Sequence, residues 1–253
     1  MGWLDRDGVR IRYDVTGSGP AVLLTHGFGA SAHMFAATAA VIARDHTVIT
    51  WDMRGHGGSD YPQDPTQYSA AKAVGDMVAL LDAAGFDRAV LAGHSLGGYL
   101  SLAFNVAHPN RVRALILNDT GPGYRKDEGR AEWNQLAERY AVSLERSGLA
   151  GLPGSGELTA NVHRDESGLI RAARGILAQH DATVIESLPT IAAPALVIVG
   201  ELDTPFVGGS QYMAAKIPNA ELVVIAGAEH APNLSHPAEF DAAVRSFLDS
   251  LPG

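Results

Sequence analysis

The feature that most constrains this chain is a regular alternation of short apolar runs with helix-like stretches. The runs are Ala21–Thr25, Thr47–Trp51, Ala89–Ala92, Ala114–Leu117, Ala195–Val199 and Leu222–Ala226. Each is rich in Val, Ile and Leu and lacks polar alternation, as expected of a strand covered on both faces. Helical patterning fills the intervals. Within Tyr68–Ala84, Val74, Met77, Val78 and Leu81 recur at i, i+3, i+4 and i+7, and Gly85 supplies a stop. Buried-type strands joined by helices point to an α/β fold, a mostly parallel central sheet with helices on both faces. The first residues differ. Val9, Ile11, Tyr13 and Val15 alternate with polar residues, and Asp7-Gly8 separates Gly2–Arg6 from Val9–Val15. That pattern predicts a tight hairpin at an antiparallel edge with one wet face.

The rhythm breaks once. From Gly121 to about Pro189 no strand pattern appears, only helical stretches such as Glu128–Arg146 and Leu169–Gln179, divided by the glycine-rich Gly148–Gly156. An insertion of this length after a central strand predicts a helical cap, or lid, at residues 121–189, with 1–120 and 190–253 forming the core. Tyr124, Trp133 and Tyr140 either line a substrate pocket or bury the underside of the lid.

The stretch Ala89-Val-Leu-Ala-Gly-His-Ser-Leu-Gly-Gly98 places G-x-S-x-G between a strand and a helix. This spacing has a steric logic. Ser95 on a sharp strand-to-helix turn needs a strained backbone, and that turn pushes its hydroxyl clear of the sheet. Two residues either side, Gly93 and Gly97 leave room where a Cβ would collide, and Gly98 extends that room into the helix. The same turn leaves the Leu96 N–H unpaired at a helix N-terminus, suited to stabilising an oxyanion. A serine nucleophile needs a base, and the base needs an orienting acid. Of ten histidines, His230 lies in Gly227-Ala-Glu-His-Ala-Pro, just past the last strand run, and is the expected base. His236 precedes Pro237 and fits a helix start, while His46, His94, His108 and His180 fit structural or surface roles. Asp203 follows the run Leu196–Gly200 and gives the order Ser…Asp…His. Asp119, at the end of Leu115-Ile-Leu-Asn-Asp, is the alternative acid.

A second oxyanion donor is expected from the glycine turn of Leu23-Leu-Thr-His-Gly-Phe-Gly29, through the Phe28 N–H. Gly27-Phe-Gly29-Ala-Ser-Ala32 also matches the dinucleotide fingerprint G-x-G-x-x-A, with Asp52 near the place of a ribose-binding carboxylate. That reading leaves Ser95, Asp203 and His230 unexplained, so no cofactor is expected. None of Lys72, Lys126 and Lys216 follows a glycine, which excludes a Walker A loop, and no H-E-x-x-H metal spacing occurs.

Composition narrows the partners. With 19 Lys and Arg against 28 Asp and Glu the net charge is −9, which disfavours phosphate backbones and anionic membranes. The absence of cysteine excludes disulfides, thiolate nucleophiles and thiolate metal sites. Met1–Asp7 shows no apolar stretch of signal-peptide length, and Arg6 stands where a myristoylation signal carries Ser or Thr. No apolar run approaches the roughly 18 residues of a membrane span. The expected protein is soluble and cytoplasmic, with no nucleic-acid or membrane partner, and its oligomeric state is open.

Taken together, the hairpin, the H-G-F-G turn, Asp52-Met-Arg-Gly-His-Gly-Gly-Ser59, G-H-S-L-G-G, G-E-L-D and G-A-E-H-A-P resemble the α/β-hydrolase superfamily along the whole chain. In that family the D-x-R-G-x-G-x-S segment is mainly structural. The resemblance is to its serine-nucleophile branch, small carboxylesterases, enol-lactonases and cofactor-free perhydrolases. Epoxide hydrolases and haloalkane dehalogenases of this fold carry a carboxylate where Ser95 stands. Carbon–carbon bond hydrolases usually show a proline in the early turn and a tryptophan after the histidine, where this chain has Gly27-Phe-Gly-Ala30 and Ala231. Non-enzymatic receptors share the fold. The resemblance implies a serine hydrolase cleaving a small-molecule ester or lactone.

Overall fold

The computed structural model describes residues 2–152, 158 and 162–252. Eight strands form one sheet: β1 (Gly2–Arg6), β2 (Val9–Gly17), β3 (Ala21–Thr25), β4 (Thr47–Trp51), β5 (Ala89–His94), β6 (Val112–Asn118), β7 (Ala195–Gly200) and β8 (Ala220–Ile225). Their spatial order is β1-β2-β4-β3-β5-β6-β7-β8. The pairs β1/β2 and β2/β4 are antiparallel, and the five remaining pairs are parallel. Asp7 and Gly8 both adopt positive φ, 57° and 79°, the conformation of the tight hairpin turn their sequence predicts.

Helices α1 (Ala36–Ile42) and α9 (Pro237–Ser250) cover one face. There Val22, Leu24, Val90, Ile116, Leu196 and Ile198 meet Ile42, Phe240 and Phe247. Helices α2 (Ala70–Ala83), α3 (Leu96–Ala107) and α7 (Thr204–Lys216) cover the other. There Leu23, Leu91, Leu115 and Val197 meet Met77, Leu80, Phe104 and Met213. Alternate residues of one strand thus feed two separate cores, which is why the central runs are apolar throughout. Each such side chain contributes about 1.5–3 kcal/mol on burial.

Between β6 and β7 the insert 121–189 contains α4 (Asp127–Ser147), α5 (Ser167–Gly175) and α6 (Thr183–Ser187). The short α8 (Pro232–Ser235) precedes α9. Of the glycine-rich divider, Gly148 ends α4 with φ 58°, whereas Gly154 and Gly156 lie outside the described residues. Helix α5 stops at Gly175 although the apolar pattern continues to Leu177, because Ile176 and Leu177 keep packing inward after the helix ends. The insert is seated on the Asp52–Ser59 loop backbone to backbone. A Cβ on Gly168 would lie 2.5 Å from the Gly55 Cα, and one on Gly55 would lie 2.7 Å from the Gly168 carbonyl oxygen. Nearby, the Arg164 guanidinium lies over the Tyr61 ring at 4.3 Å.

Candidate active site

Strand β5 runs through His94 and α3 begins at Leu96, so Ser95 alone turns the chain, with φ 51° and ψ −118°. The turn has no space for side chains beside it. A Cβ on Gly93 would lie 2.1 Å from the Gly97 carbonyl oxygen, and one on Gly97 would lie 2.0 Å from the Thr25 carbonyl oxygen. Hydrogen bonds lock it to the end of β6: Ser95 N–H donates to the Asn118 carbonyl at 2.9 Å. The Thr120 hydroxyl donates to the Ser95 carbonyl at 2.6 Å. As the first residue of α3, Leu96 carries an N–H with no partner inside the helix.

The loops after β7 and β8 open at the same C-terminal edge of the sheet. Asp203 is the N-cap residue of α7, 6% exposed, and its Oδ2 lies 2.8 Å from His230 Nδ1. Asp119 follows β6 at φ 45°, and its Oδ1 accepts the Gly200 N–H at 2.9 Å. Ligand-type atoms of Asp119, Asp203 and His230 fall within 4.8 Å of one another, a cluster of the kind that also binds metal ions. The geometry pairs His230 with Asp203, while Asp119 ties the end of β6 to the end of β7. His94 contacts His230 directly. Its Nε2–H donates to the His230 carbonyl at 2.7 Å, and the two rings meet edge to face at 4.7 Å. Burial, and then the neighbouring His230, hold the His94 imidazole well below its ordinary pKa.

The H-G-F-G turn lies against the elbow, since a Cβ on Gly27 would stand 3.2 Å from Ser95 Cβ. Buried His26 fixes this turn from the core side. Its Nδ1–H donates to the Gly27 carbonyl at 2.7 Å and its Nε2 accepts the Met53 N–H at 3.0 Å. Burial pushes its pKa down to about 4, so the imidazole is neutral at pH 7. The peptide linking Gly27 to Phe28 is trans, so a carbonyl turned toward His26 directs the Phe28 N–H the opposite way.

Asp52, the residue a dinucleotide site would use, is engaged elsewhere. It is 1% exposed and accepts the Ala32 N–H at 2.8 Å, the Gly58 N–H at 2.8 Å and the Arg12 guanidinium at 3.2 Å. It is therefore the structural centre of the 52–59 loop. Beside it, buried Arg54 forms a two-point ion pair with Asp76 at 2.6 and 2.8 Å.

Four further histidines are dispersed. His236 caps α9, His46 bonds Asp45 at 2.7 Å, His108 packs on Phe104 and His180 is exposed. The insert brings aromatic rings to the site. Tyr140 stacks on Phe28 at 5.8 Å, and Trp133 meets Phe206 edge-on at 6.5 Å. Tyr124, 42% exposed, lies against Trp133. Phe206 stacks on the His230 ring at 4.8 Å, and the sequence reading missed it. Its position three residues past Asp203, in the first turn of α7, was the available signal.

The sequence profile of the alpha/beta hydrolase fold family matches residues 20–149. The chain belongs to the α/β-hydrolase family. A curated relative, a pimeloyl-[acyl-carrier protein] methyl ester esterase of Chromobacterium violaceum, is 32% identical over 94% of this chain and 97% of its own. A putative 2-succinyl-6-hydroxy-2,4-cyclohexadiene-1-carboxylate synthase of Bacillus subtilis is 26% identical over 97% of each chain. Among solved structures, the enol-lactonase of Burkholderia xenovorans LB400 superposes with a TM-score of 0.79 at 25% identity, over 98% of this chain and 100% of its own. This α/β-hydrolase is a hydrolytic enzyme. Among its described residues no helix is long and apolar enough to cross a membrane.

Proposed function

We propose that this α/β-hydrolase cleaves a small carboxylic ester or lactone through an acyl-serine intermediate, with Ser95 as nucleophile, His230 as base and Asp203 as the orienting acid. The observation that carries the reading is the convergence at one sheet edge of the Ser95 elbow, the abutting Gly27 turn and the 2.8 Å Asp203–His230 pair. His230 removes the Ser95 hydroxyl proton as the oxygen attacks the carbonyl. The Leu96 and Phe28 amides hold the oxyanion. His230 then protonates the leaving alcohol and activates the water that releases the acid. Asp203 keeps the imidazole in the tautomer with Nε2 free to accept. The insert 121–189 acts as the cap, with Trp133, Tyr140 and Tyr124 lining the pocket, a role supported by the ring contacts of Trp133 with Phe206, Tyr140 with Phe28 and Tyr124 with Trp133. The expected partner is the small-molecule substrate alone. The ester and lactone specificities named for its relatives support this substrate class.

Hydrolysis of short- and medium-chain p-nitrophenyl esters by wild type and Ser95→Ala, with intact-mass detection of the acyl adduct, tests the reading. Turnover and an adduct, both lost in Ser95→Ala, are expected. A folded wild type without either rejects it.

A further inference from the structure

One buried histidine of the insert has no part in the proposed proton path, yet it grips the oxyanion turn. His163 is 7% exposed and makes two backbone hydrogen bonds. Its Nδ1 accepts the Gly57 N–H at 3.1 Å, and its Nε2 lies 2.8 Å from the Gly29 carbonyl. An imidazole that accepts on one nitrogen and meets a carbonyl on the other is neutral, with its proton on Nε2. A second proton on Nδ1 would face a donor and break the clip. Burial also lowers the His163 pKa, in keeping with that state.

The bond to Gly29 has a consequence through the backbone. The peptide that carries the Gly29 carbonyl also carries the Ala30 N–H, and the two point in opposite directions. The Ala30 N–H donates to the Gly27 carbonyl at 3.2 Å. The peptide of that carbonyl in turn carries the Phe28 N–H. Pulling on Gly29 O from the insert thus sets the Ala30 N–H, which together with His26 sets the Gly27 carbonyl and so the direction of the Phe28 amide. His56, with its ring 5.1 Å from that of His26 and 5.9 Å from that of His163, fills the space between the two grips.

We propose that His163 is a positioning residue for the oxyanion hole, through which the seated insert aims the Phe28 N–H at the reacting carbonyl. This rests on the acyl-serine reading for its kinetic effect, but the turn geometry is measurable without it.

Two polar variants separate the two bonds. In His163→Asn the short amide reaches the Gly57 N–H and falls short of Gly29. In His163→Gln the longer amide places an N–H at Gly29 O. With p-nitrophenyl esters, His163→Asn is expected to lower kcat about 10- to 100-fold, the scale of a mis-set transition-state contact, with KM within about threefold of wild type. His163→Gln is expected to stay within about fivefold of wild type in both. Amide hydrogen exchange at Ala30, followed by NMR, should quicken in the Asn variant and not in the Gln variant. A purely structural role would lower the melting temperature of both and leave this kcat difference absent. Equal kcat and equal Ala30 exchange in the two variants overturns the proposal. If wild type forms no acyl adduct, the ester reading fails and the Ala30 exchange alone decides for or against His163.

Discussion

His94 and His230 are joined ring to backbone: the His94 Nε2–H, one residue before Ser95, donates to the His230 carbonyl at 2.7 Å. The Ser95 turn and the His230 loop are therefore joined by a hydrogen bond between residues 136 apart in sequence. His94→Phe keeps an aromatic ring, somewhat larger than imidazole, and leaves the His230 carbonyl without that donor. A fall in kcat of about tenfold, corresponding to about 1.4 kcal/mol, is expected in ester turnover. Unchanged kcat would mean that this hydrogen bond does not position the His230 loop.

Ser95 is held at φ 51°, a conformation natural to glycine and costly to other residues. Ser95→Gly should abolish turnover while raising the unfolding free energy by about 1 kcal/mol, read by urea denaturation. Ser95→Ala, which keeps a Cβ and hence the strain, should be equally inactive and no more stable than wild type.

The two carboxylates near His230 differ in what they bond. Asp203→Asn should lower kcat by about 10⁴-fold, because an amide cannot hold the imidazole in the productive tautomer. Asp119→Asn retains an oxygen for the Gly200 N–H and should cost less than about tenfold in kcat. The reverse ranking in steady-state kinetics would move the acid role to Asp119.

Four histidines, His26, His56, His94 and His163, have their pKa lowered, in each case first by burial. The unfolded chain binds protons at these rings below about pH 6.5, whereas the folded protein does so only at lower pH, near 4 for His26. Between those values the unfolded state holds more protons, so stability falls as the pH falls. Each such histidine contributes a slope of up to ~1.4 kcal/mol per pH unit. Urea midpoints at pH 7, 6 and 5 should decline progressively, and a flat series would contradict the neutral burial of these rings.

The parallel strands and the elbow were legible because their signals are local. A run such as Leu196–Val199 reports burial on two faces, and G-x-S-x-G reports one turn. Asp203 and His230, both expected from their places just past strands, lie 2.8 Å apart in the structure. Strand ends were read short, at Ala92 and Leu117, because His94 and Asn118 are polar, yet each extends its strand. His94 is polar there because it serves the His230 loop. His163 had no readable signal, since both its partners are backbone groups, and a backbone acceptor leaves no residue type to match. Phe206 was legible only through its place three residues past Asp203, since its contact is with a ring on a different loop, which no periodicity within α7 reveals.

The seam between Gly55 and Gly168 has a consequence for how this enzyme can be altered. Main chain meets main chain there, and a Cβ on either glycine would collide. The seat of α5 therefore fixes two positions that admit no side chain, whereas α4 is held by its side chains, with the Trp133 Nε1–H donating to the Leu177 carbonyl at 2.8 Å. Exchanging Trp133 removes that bond, so a ring that faces Phe206 also helps to hold its own helix. A library built on this scaffold should spare the two glycines and keep an N–H donor at position 133, so that new selectivity is sought without loosening the insert.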